Sequence, residues 1–393
     1  MQELDRSLHL TRRTFLRAED CVLSDLAALC GVTTDPADWP LAARVEKGVL
    51  IYDCTALLPR LDDPAFAAML MAEWAEALAN GPGVLVLAGA EPDHAMIDRA
   101  SDLFRELIEK QNRGGTGGGD HFAKPGANDR LWNSLEKHCL ADPESFARYY
   151  ANPFLALVSQ AWLGPYYQMT AQLNVVNPGG AAQSPHRDYH LGFQSAEAVA
   201  RYPRHIHLFS PMLTLQGAVA HVDASIEAGP TLLLPHSQKY PAGYLATSRP
   251  DFRDYFHAQA VQLPLRKGDM LFFSPALFHA AGTNLTTGVK RMVNLFQVSS
   301  AYGRAMESID RTRMVKALYP VLLSLNLGDR ETANVIAAAA EGYSFPTNLD
   351  SDPPLGGLAP KTQAALVHEA LVARWTQDVL NAALDAQAVK RLP

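Results

Sequence analysis

The chain has 393 residues, of which 48% are hydrophobic and 19% are charged, and its formal net charge is −7. Because its basic residues are scattered, nucleic acid is not expected as a partner. The acidic N-terminus carries no apolar signal segment, and no stretch approaches the roughly twenty apolar residues that cross a membrane. The four cysteines lack metal-ligand spacing, which is typical of reduced thiols in a cytoplasm. We therefore expect a cytoplasmic enzyme that acts on a small molecule.

Helical spacing is present toward both ends of the chain. It predicts helices over residues 64–80, 93–110, 314–340 and 360–384. No charge run, repeat or low-complexity linker divides the chain. We predict a single catalytic domain over residues 1–393, whose terminal helices offer a face for a homodimer. Its predicted parts are a mostly helical extension (1–167), a jelly-roll core (168–300) and a C-terminal helical region (301–393).

A glycine-rich segment follows the second predicted helix. Residues 114–119 hold five glycines in six positions, a freedom that costs conformational entropy on folding. The segment lacks the Gly-Lys-Ser/Thr sequence of a phosphate-binding loop. We predict a lid over the active site, from which Arg113 and His121 contact a polar ligand. The alternative is a mobile surface loop.

Short apolar stretches separated by turn residues occupy the middle of the chain. They span residues 172–176, 212–219, 231–234 and 270–273, a pattern typical of a jelly roll. On the first stretch, Gln172 and Asn174 share one strand face, so that either amide could donate to a bound carboxylate. The alternative is an amide that neighbouring strands satisfy.

A candidate metal site follows this first strand. His186 and Asp188 are two residues apart and therefore share one strand face, and His279 ends a later apolar strand. Two histidines and one carboxylate can occupy one face of an Fe(II) ion and leave three adjacent positions open. The competing pair, His221 and Asp223, lies in an apolar stretch typical of a core strand and lacks the Gly/Pro loop that precedes His186.

Arg291 follows His279 by twelve residues (291 − 279) in a second strand-like stretch, residues 289–296. We expect the two strands to pair as a hairpin across residues 282–284. The planar guanidinium suits bidentate binding of a carboxylate. Tyr189 and His190 directly follow the metal pair and are candidates for substrate contact, although a hydrogen bond within the core is the other interpretation of His190.

Taken together, residues 173–298 resemble the phytanoyl-CoA dioxygenase family of Fe(II)- and 2-oxoglutarate-dependent oxygenases. The resemblance rests on residues 186–188, on the turn at 227–237, on the strand at 265–273 and on the spacing from His279 to Arg291. In the turn, His236 stands where the family has glycine, and Gln238 stands where it has histidine. This departure bears on the conformation of the turn and not on the metal site.

The resemblance implies a mainly β fold with helical additions, a double-stranded β-helix (jelly roll, cupin-like) wrapped by α-helices. It implies that His186, Asp188 and His279 bind Fe(II). It also implies that Arg291 binds the co-substrate 2-oxoglutarate, with help from Thr283 and from Asn174 or Gln172. With O2, such an enzyme releases succinate and CO2 and hydroxylates an unactivated C–H bond. Related halogenases have a small residue at the carboxylate position, so Asp188 argues against halogenation.

Two other classes of protein stay open at this point. A cupin-like metal-dependent isomerase or hydrolase would use the same fold without Arg291, 2-oxoglutarate or O2. A catalytically silent binding protein would form no succinate. Neither class needs an arginine at the end of the motif series, which favours the oxygenase.

Overall fold

The computed structural model describes residues 10, 11, 13–114 and 126–392. Of the predicted lid at residues 114–119, Gly114 is described. The rest of the lid, and His121, lie outside the described residues. The chain forms two compact units. The first comprises the described parts of residues 1–92, 118–130 and 174–295, and the second those of residues 93–117, 131–173 and 296–393. The single catalytic domain with divisions at 167 and 300 stays a prediction.

In the described part of the chain, ten strands form two sheets. They are β1 (Arg44–Glu46), β2 (Val49–Asp53), β3 (Val84–Ala88), β4 (Asn128–Leu131), β5 (Gln168–Val176), β6 (Thr214–Ala220), β7 (Leu232–Leu234), β8 (Met270–Phe273), β9 (Phe278–Ala280) and β10 (Arg291–Ser299). The larger sheet has the order β1-β2-β3-β8-β6-β10-β5-β4, and the smaller sheet consists of β7 and β9. Strand β8 is antiparallel to β3 and to β6. All four of its residues are buried, so its sequence is continuously apolar.

Isolated bridges extend the smaller sheet on both sides. His186 pairs with His279 on β9, and Val261 pairs with Leu233 on β7. The chain thus passes from the larger sheet (β5) to the smaller one at residue 186, back to the larger one (β6), and then through β7 and residue 261 of the smaller one. It continues to β8 in the larger sheet, β9 in the smaller and β10 in the larger. This alternation is that of a double-stranded β-helix, which confirms the predicted fold.

The predicted hairpin between the His279 and Arg291 strands is wrong. These strands, β9 and β10, lie in different sheets. The connection between them crosses from one sheet to the other, and the buried Asn284 side chain holds it by donating to the carbonyl oxygens of Val176 (3.0 Å) and Val289 (2.8 Å). A turn signal between two apolar runs predicts local pairing, whereas the β-helix sends successive strands to opposite sheets.

Among the described residues, seven helices with defined bounds belong to the first unit and eight to the second. Those of the first unit are Leu23–Cys30, Cys54–Leu57, Pro64–Ala79, Ala196–Val199, Arg204–Phe209, Gly243–Ala246 and Pro250–Gln259. Those of the second are His94–Arg113, Ser134–Ala141, Pro143–Tyr150, Pro153–Leu163, Arg311–Ser324, Asp329–Ala339, Gln363–Val372 and Gln377–Lys390. Within the described residues, every helix is too short or too polar to cross a lipid bilayer.

The predicted helices are present, but the two C-terminal ones are each divided. The helix predicted over 314–340 ends at Ser324 and restarts at Asp329, and the one predicted over 360–384 breaks between Val372 and Gln377. In the second break, the Thr376 side chain accepts a hydrogen bond from the backbone N–H of Val379 and so begins a new helix. The sequence patterns also missed β1 to β4 within residues 1–167.

Candidate active site

The side chains of His186, Asp188 and His279 converge in the first unit. The Asp188 carboxylate lies 3.6 Å from His186 Nε2 through Oδ1 and 3.4 Å from His279 Nε2 through Oδ2. The three ligand atoms all lie within 4.8 Å of one another. Among the described residues, this is the group of His, Cys, Asp and Glu side chains with the spacing to hold a metal ion.

The local backbone explains this convergence. His186 and His279 face each other across an antiparallel bridge, with backbone N–O distances of 3.0 and 3.2 Å. The backbone N–H of Asp188 donates to the carbonyl of Pro275 at 3.1 Å and continues the pairing. The spacing of residues 186 and 188 therefore acts as predicted, although this extended segment forms only one bridge.

Both imidazoles present the same nitrogen to the centre of the cluster. Nδ1 of His186 lies 2.8 Å from the carbonyl oxygen of Ser184, and Nδ1 of His279 lies 2.9 Å from that of Leu277. A carbonyl can only accept, so each Nδ1 carries a proton, and Nε2, which faces Asp188, is the nitrogen that can bind a metal ion in place of a proton. Backbone bonds of this kind orient histidine ligands in metal sites.

Asp188 is held in its ionised form. Burial alone would raise the pKa of its carboxyl group, but His186, His279 and a hydrogen bond from Gln216 together hold this pKa well below its usual range. The Gln216 amide on β6 donates to Oδ2 of Asp188. Sequence reasoning missed Gln216. The available signal was an amide inside the mostly apolar and fully buried strand β6.

The donor set fits Fe(II). Two imidazole nitrogens and an ionised carboxylate oxygen are the donors of the two-histidine, one-carboxylate sites that hold non-haem iron. The three residues could bind on one side of the ion, which leaves the other side for a co-substrate and O2. The competing pair is not part of this group: the Asp223 carboxylate instead accepts from the backbone N–H of Lys267 at 2.8 Å.

Arg291 opens β10, the strand next to β6, and is 5% exposed. Its Nε and Nη1 atoms have no hydrogen-bond partner among the described residues. Burial lowers the pKa of the guanidinium to about 10, so it stays charged at neutral pH. A buried, unpaired cation is costly unless an anion binds it. The neighbouring Lys290 is exposed, as expected from the opposite strand face.

Arg187, between the two metal-ligand candidates, is also buried but serves as an anchor. Its Nη2 donates to the carbonyl oxygens of Ser237 (2.6 Å) and Tyr240 (2.9 Å), and its guanidinium lies 4.9 Å from the ring centroid of Phe278. A Cβ atom at Gly243 would overlap this guanidinium, so only glycine fits there. These contacts fix the loop that carries His186 and Asp188 to the 237–240 turn.

The turn around His236 keeps the conformation that favours glycine. His236 has φ +68°, in the left-handed region. Its ring nitrogens contact the Thr34 hydroxyl (Nε2, 3.0 Å) and the Lys239 ammonium (Nδ1, 2.9 Å). Burial and the Lys239 charge lower the pKa of His236 to about 4, so the ring is neutral at pH 7. The substitution thus changes the side chain and not the path of the backbone.

The other predicted residues fall into different surroundings. Asn174 is buried, and its Oδ1 has no partner among the described residues. Gln172 lies in the second unit and donates to Gln297 Oε1 at 2.9 Å, which favours the structural interpretation of that amide. The Thr283 hydroxyl accepts from the backbone N–H of Ala182 at 3.0 Å and so braces a loop. Arg113 ends its helix exposed to solvent.

Tyr189 and His190 directly follow Asp188 in left-handed conformations, with φ +62° and +44°. Tyr189 is buried, and His190 is half-buried with its Nδ1 atom 3.2 Å from the hydroxyl of Ser210. Burial lowers the pKa of His190, an effect that a hydrogen bond with the backbone of Ser210 partly offsets.

Comparison with known proteins places this site in a family. A sequence model of the family "Phytanoyl-CoA dioxygenase (PhyH)" matches residues 65–292, which is more than half of the chain. The chain belongs to the phytanoyl-CoA dioxygenase family. The match includes His186, Asp188, His279 and Arg291, and it agrees with the iron- and 2-oxoglutarate-dependent chemistry that the sequence resemblance implies for this family.

One individual relative of this PhyH-family chain matches it over a limited part of its length. It is 31% identical over 141 residues to the "Iron/alpha-ketoglutarate-dependent dioxygenase ausU" of Aspergillus calidoustus. That match covers 35% of this chain and 41% of the fungal protein, so it spans less than half of that relative's length.

Solved structures with a similar chain path include two of low sequence identity. The non-haem α-ketoglutarate-dependent carbocyclase SnoK from nogalamycin biosynthesis is 17% identical, with a TM-score of 0.44 over 61% of this chain and 88% of SnoK. AviO1 from Streptomyces viridochromogenes is 18% identical, with a TM-score of 0.43 over 60% of this chain and 97% of AviO1.

Proposed function

We propose that the protein is an Fe(II)- and 2-oxoglutarate-dependent dioxygenase that hydroxylates an unactivated C–H bond of a small molecule. The observation that carries this proposal is a converging set of two histidines and one aspartate together with Arg291, a buried cation without a partner among the described residues. An isomerase, a hydrolase or a silent binding protein on this fold would have no use for that cation. The carboxylate of Asp188 argues against halogenation.

Each residue of the site has a separate task. His186 and His279 offer Nε2 because their Nδ1 protons are donated to backbone carbonyls. Asp188 offers an ionised oxygen, whose direction the Gln216 amide fixes. Arg291 binds the far carboxylate of the co-substrate through two parallel N–H donors. Iron and 2-oxoglutarate, when bound, supply the oxidising chemistry that consumes O2 and releases succinate and CO2.

The surroundings of these residues limit side reactions. Asp188, His279 and Arg291 are mostly shielded from water, with His279 and Arg291 each 5% exposed. A water-excluded site strengthens the charge–charge contact between an arginine and a carboxylate. Arg187 holds the ligand loop against the 237–240 turn, so the donor atoms are positioned before any ligand binds.

The direct test is succinate formation by the full chain. Protein supplied with Fe(II), 2-oxoglutarate and O2 should form succinate faster when a panel of metabolites contains a substrate. His279→Ala should abolish this stimulation, whereas His221→Ala, which changes a histidine outside the cluster, should retain it. Turnover of a substrate without 2-oxoglutarate, or full activity of His279→Ala, would overturn the proposal.

The type of oxidation is tested with the same substrate. Hydroxylation places one oxygen atom from labelled O2 into the product, whereas desaturation, epimerisation and ring closure do not. A homodimer through the terminal helices, the absence of a nucleic-acid partner and a cytoplasmic location stay predictions from the sequence.

A further inference from the structure

A cavity of about 250 Å³ adjoins the loop that carries Asp188. Five of its lining side chains are largely apolar, namely Leu191, Tyr202, Ile206, Phe209 and Leu213. The other three carry polar groups, namely His190, Gln194 and Ser210. No Asp, Glu, Lys or Arg is among these lining residues.

The walls of this cavity are tied to the candidate metal ligands. His190 comes two residues after Asp188, and its ring contacts Ser210 across the cavity lining. The hydroxyl of Tyr244 donates to the backbone carbonyl of Asp188 at 3.5 Å and is hydrogen-bonded to Ser210. The short 3-10 helix from Ser210 to Leu213 leads into β6, which carries Gln216. The chain that carries His190 is therefore continuous with Asp188, and the chain from Ser210 to Leu213 is continuous with Gln216, which contacts Asp188.

The backbone that directly follows Asp188 is strained. Tyr189 and His190 are successive non-glycine residues with positive φ. Each such conformation costs of the order of 1–3 kcal/mol and persists where the surrounding structure enforces it, often at ligand sites. Here the strain turns the chain sharply after Asp188 and places His190 in the cavity wall.

Large apolar side chains are also exposed close to this lining in the sequence. Phe193, Leu208 and Met212 are 51%, 44% and 54% exposed, and Phe209 in the wall is 49% exposed. Single exposed apolar residues are common, but several of them flanking the lining residues in the sequence favour a binding surface.

We propose that this cavity binds an uncharged, apolar part of the primary substrate, such as a ring or a branched alkyl group. The inference rests on the proposed oxygenase function. The volume is below the roughly 300–1,000 Å³ of pockets that enclose a whole ligand, so the cavity takes only part of the substrate. The remainder extends toward the metal ligands, and His190 or Ser210 hydrogen-bonds a neutral oxygen or nitrogen of the bound group. Small charged metabolites, such as amino acids and betaines, do not match this lining.

Calorimetric titration of the full chain, loaded anaerobically with Fe(II) and 2-oxoglutarate, tests the inference. The probes are indole and cyclohexanol as neutral apolar fragments, and serine and glycine betaine as charged ones. The apolar probes should bind more tightly. Ile206→Trp fills the cavity and should weaken indole binding at least about tenfold, the scale of a steric change in an apolar pocket.

His205→Trp is the matched control, because His205 is an exposed residue of the same helix (Arg204–Phe209) and does not line the cavity. It should bind indole as the parent does. Phe209→Ala serves as a second variant, since this half-exposed wall residue can be truncated with little effect on folding; it too should weaken indole binding. Tighter binding of the charged probes, or equal indole binding by the wall variants and the control, would overturn the inference.

The two proposals fail in different ways. If 2-oxoglutarate binds to the iron-loaded protein but indole does not, the cavity inference is wrong and the proposed function stands. If indole binds in the cavity but 2-oxoglutarate does not bind, the proposed function is wrong and the cavity is a binding site of another kind.

Discussion

Arg187 and Arg291 are both buried, at 3% and 5% exposure, and burial lowers the pKa of each guanidinium to about 10. Their surroundings differ. Arg187 donates to two backbone carbonyls and lies over the rings of Phe278 and Tyr244. Arg291 donates no hydrogen bond from Nε or Nη1 to the part of the chain that the structure describes. Arg187 is anchored by the fold through Nη2, although its Nε has no partner among the described residues, whereas Arg291 is available to a ligand.

This comparison separates an arginine that positions the site from one that can bind a ligand. Sequence position alone does not separate them, because Arg187 lies between two candidate metal ligands and Arg291 follows the third. Burial and residue type are the same at the two positions. The hydrogen-bond partners decide the role, because an unsatisfied buried donor destabilises the folded protein until an acceptor binds. Changes at Arg187 should therefore affect folding, and changes at Arg291 should affect co-substrate binding.

Arg291→Ala should give the largest effect on binding. Loss of a charged contact to a buried carboxylate costs about 2–5 kcal/mol, so half-maximal succinate formation should need at least about tenfold more 2-oxoglutarate. The exposed neighbour provides the control, and Lys290→Ala should change this requirement little. Equal shifts in the two variants would remove Arg291 from the binding role.

Arg187→Met should instead lower the free energy of unfolding by about 2–4 kcal/mol. The substitution leaves the carbonyls of Ser237 and Tyr240 without their donor, and a buried unsatisfied group costs about 1–3 kcal/mol. Urea denaturation of the metal-free protein measures the change. Arg291→Met is the matched variant and should be at least as stable as the parent, because it removes a buried charge that has no partner. The reverse order of stabilities would contradict the comparison.

Gln216→Ala should weaken Fe(II) binding about 10–100-fold, as is usual when a group that orients a metal ligand is lost. The Gln216 amide bonds the Asp188 oxygen that faces His279, so its loss frees the carboxylate to rotate. Anaerobic titration with Fe(II) measures the affinity. Gln238→Ala is the control, since that amide donates to the carbonyl of Gly81 instead. Parent-like affinity in Gln216→Ala would show that Asp188 needs no such support.

The smallest effect concerns His236, in the turn that Arg187 anchors. Its folded-state pKa of about 4 lies below the value of about 6.5 for an unfolded histidine. Between these two pH values the unfolded chain binds more protons, so stability falls as the pH falls through this window and is unaffected above it. His236→Gly keeps the positive φ and removes the titrating group.

In this variant, the loss of unfolding free energy between pH 7 and pH 5 should shrink by about 1 kcal/mol, which allows for partial screening of the ring. Denaturation at the two pH values measures it, and 2-oxoglutarate binding at pH 7 should stay the same. An unchanged pH dependence would mean that His236 is not a neutral, buried part of the turn. His138, whose pKa burial lowers to about 3, contributes equally to both proteins.

The sequence predicted those parts of the site that depend on local spacing. His186 and Asp188 share a face because they are two residues apart, and the apolar run at 270–273 forms the buried strand β8. The expectation that His279 ends this strand is wrong, because His279 lies on β9 in the smaller sheet. Gln216 and the anchoring contacts of Arg187 could not be predicted in this way. They depend on residues that are far apart in the sequence. Gln216 and Asp188 are 28 residues apart and Arg187 and Ser237 are 50 residues apart, so only the folded chain brings them together.

The errors in the fold have a related cause. The turn signal at residues 282–284 indicated a hairpin, but the sheet that each strand joins is set by the whole β-helix and not by the turn. Strand β3 was missed because its short apolar run is equally compatible with a buried helix segment. The His236 turn shows the opposite case, in which backbone geometry survives a change of residue because Thr34 and Lys239 hold the side chain.

The central claim is that Arg291 recognises the far carboxylate of 2-oxoglutarate beside the His186, Asp188 and His279 cluster. The most direct test compares 2-oxoglutarate with pyruvate, a 2-oxo acid that lacks this carboxylate, in anaerobic titrations of the Fe(II)-loaded parent and of Arg291→Ala. The parent should bind 2-oxoglutarate at least about tenfold more tightly than pyruvate, and Arg291→Ala should lose this preference. A parent that does not discriminate, or a variant that still prefers 2-oxoglutarate as strongly, would contradict the account.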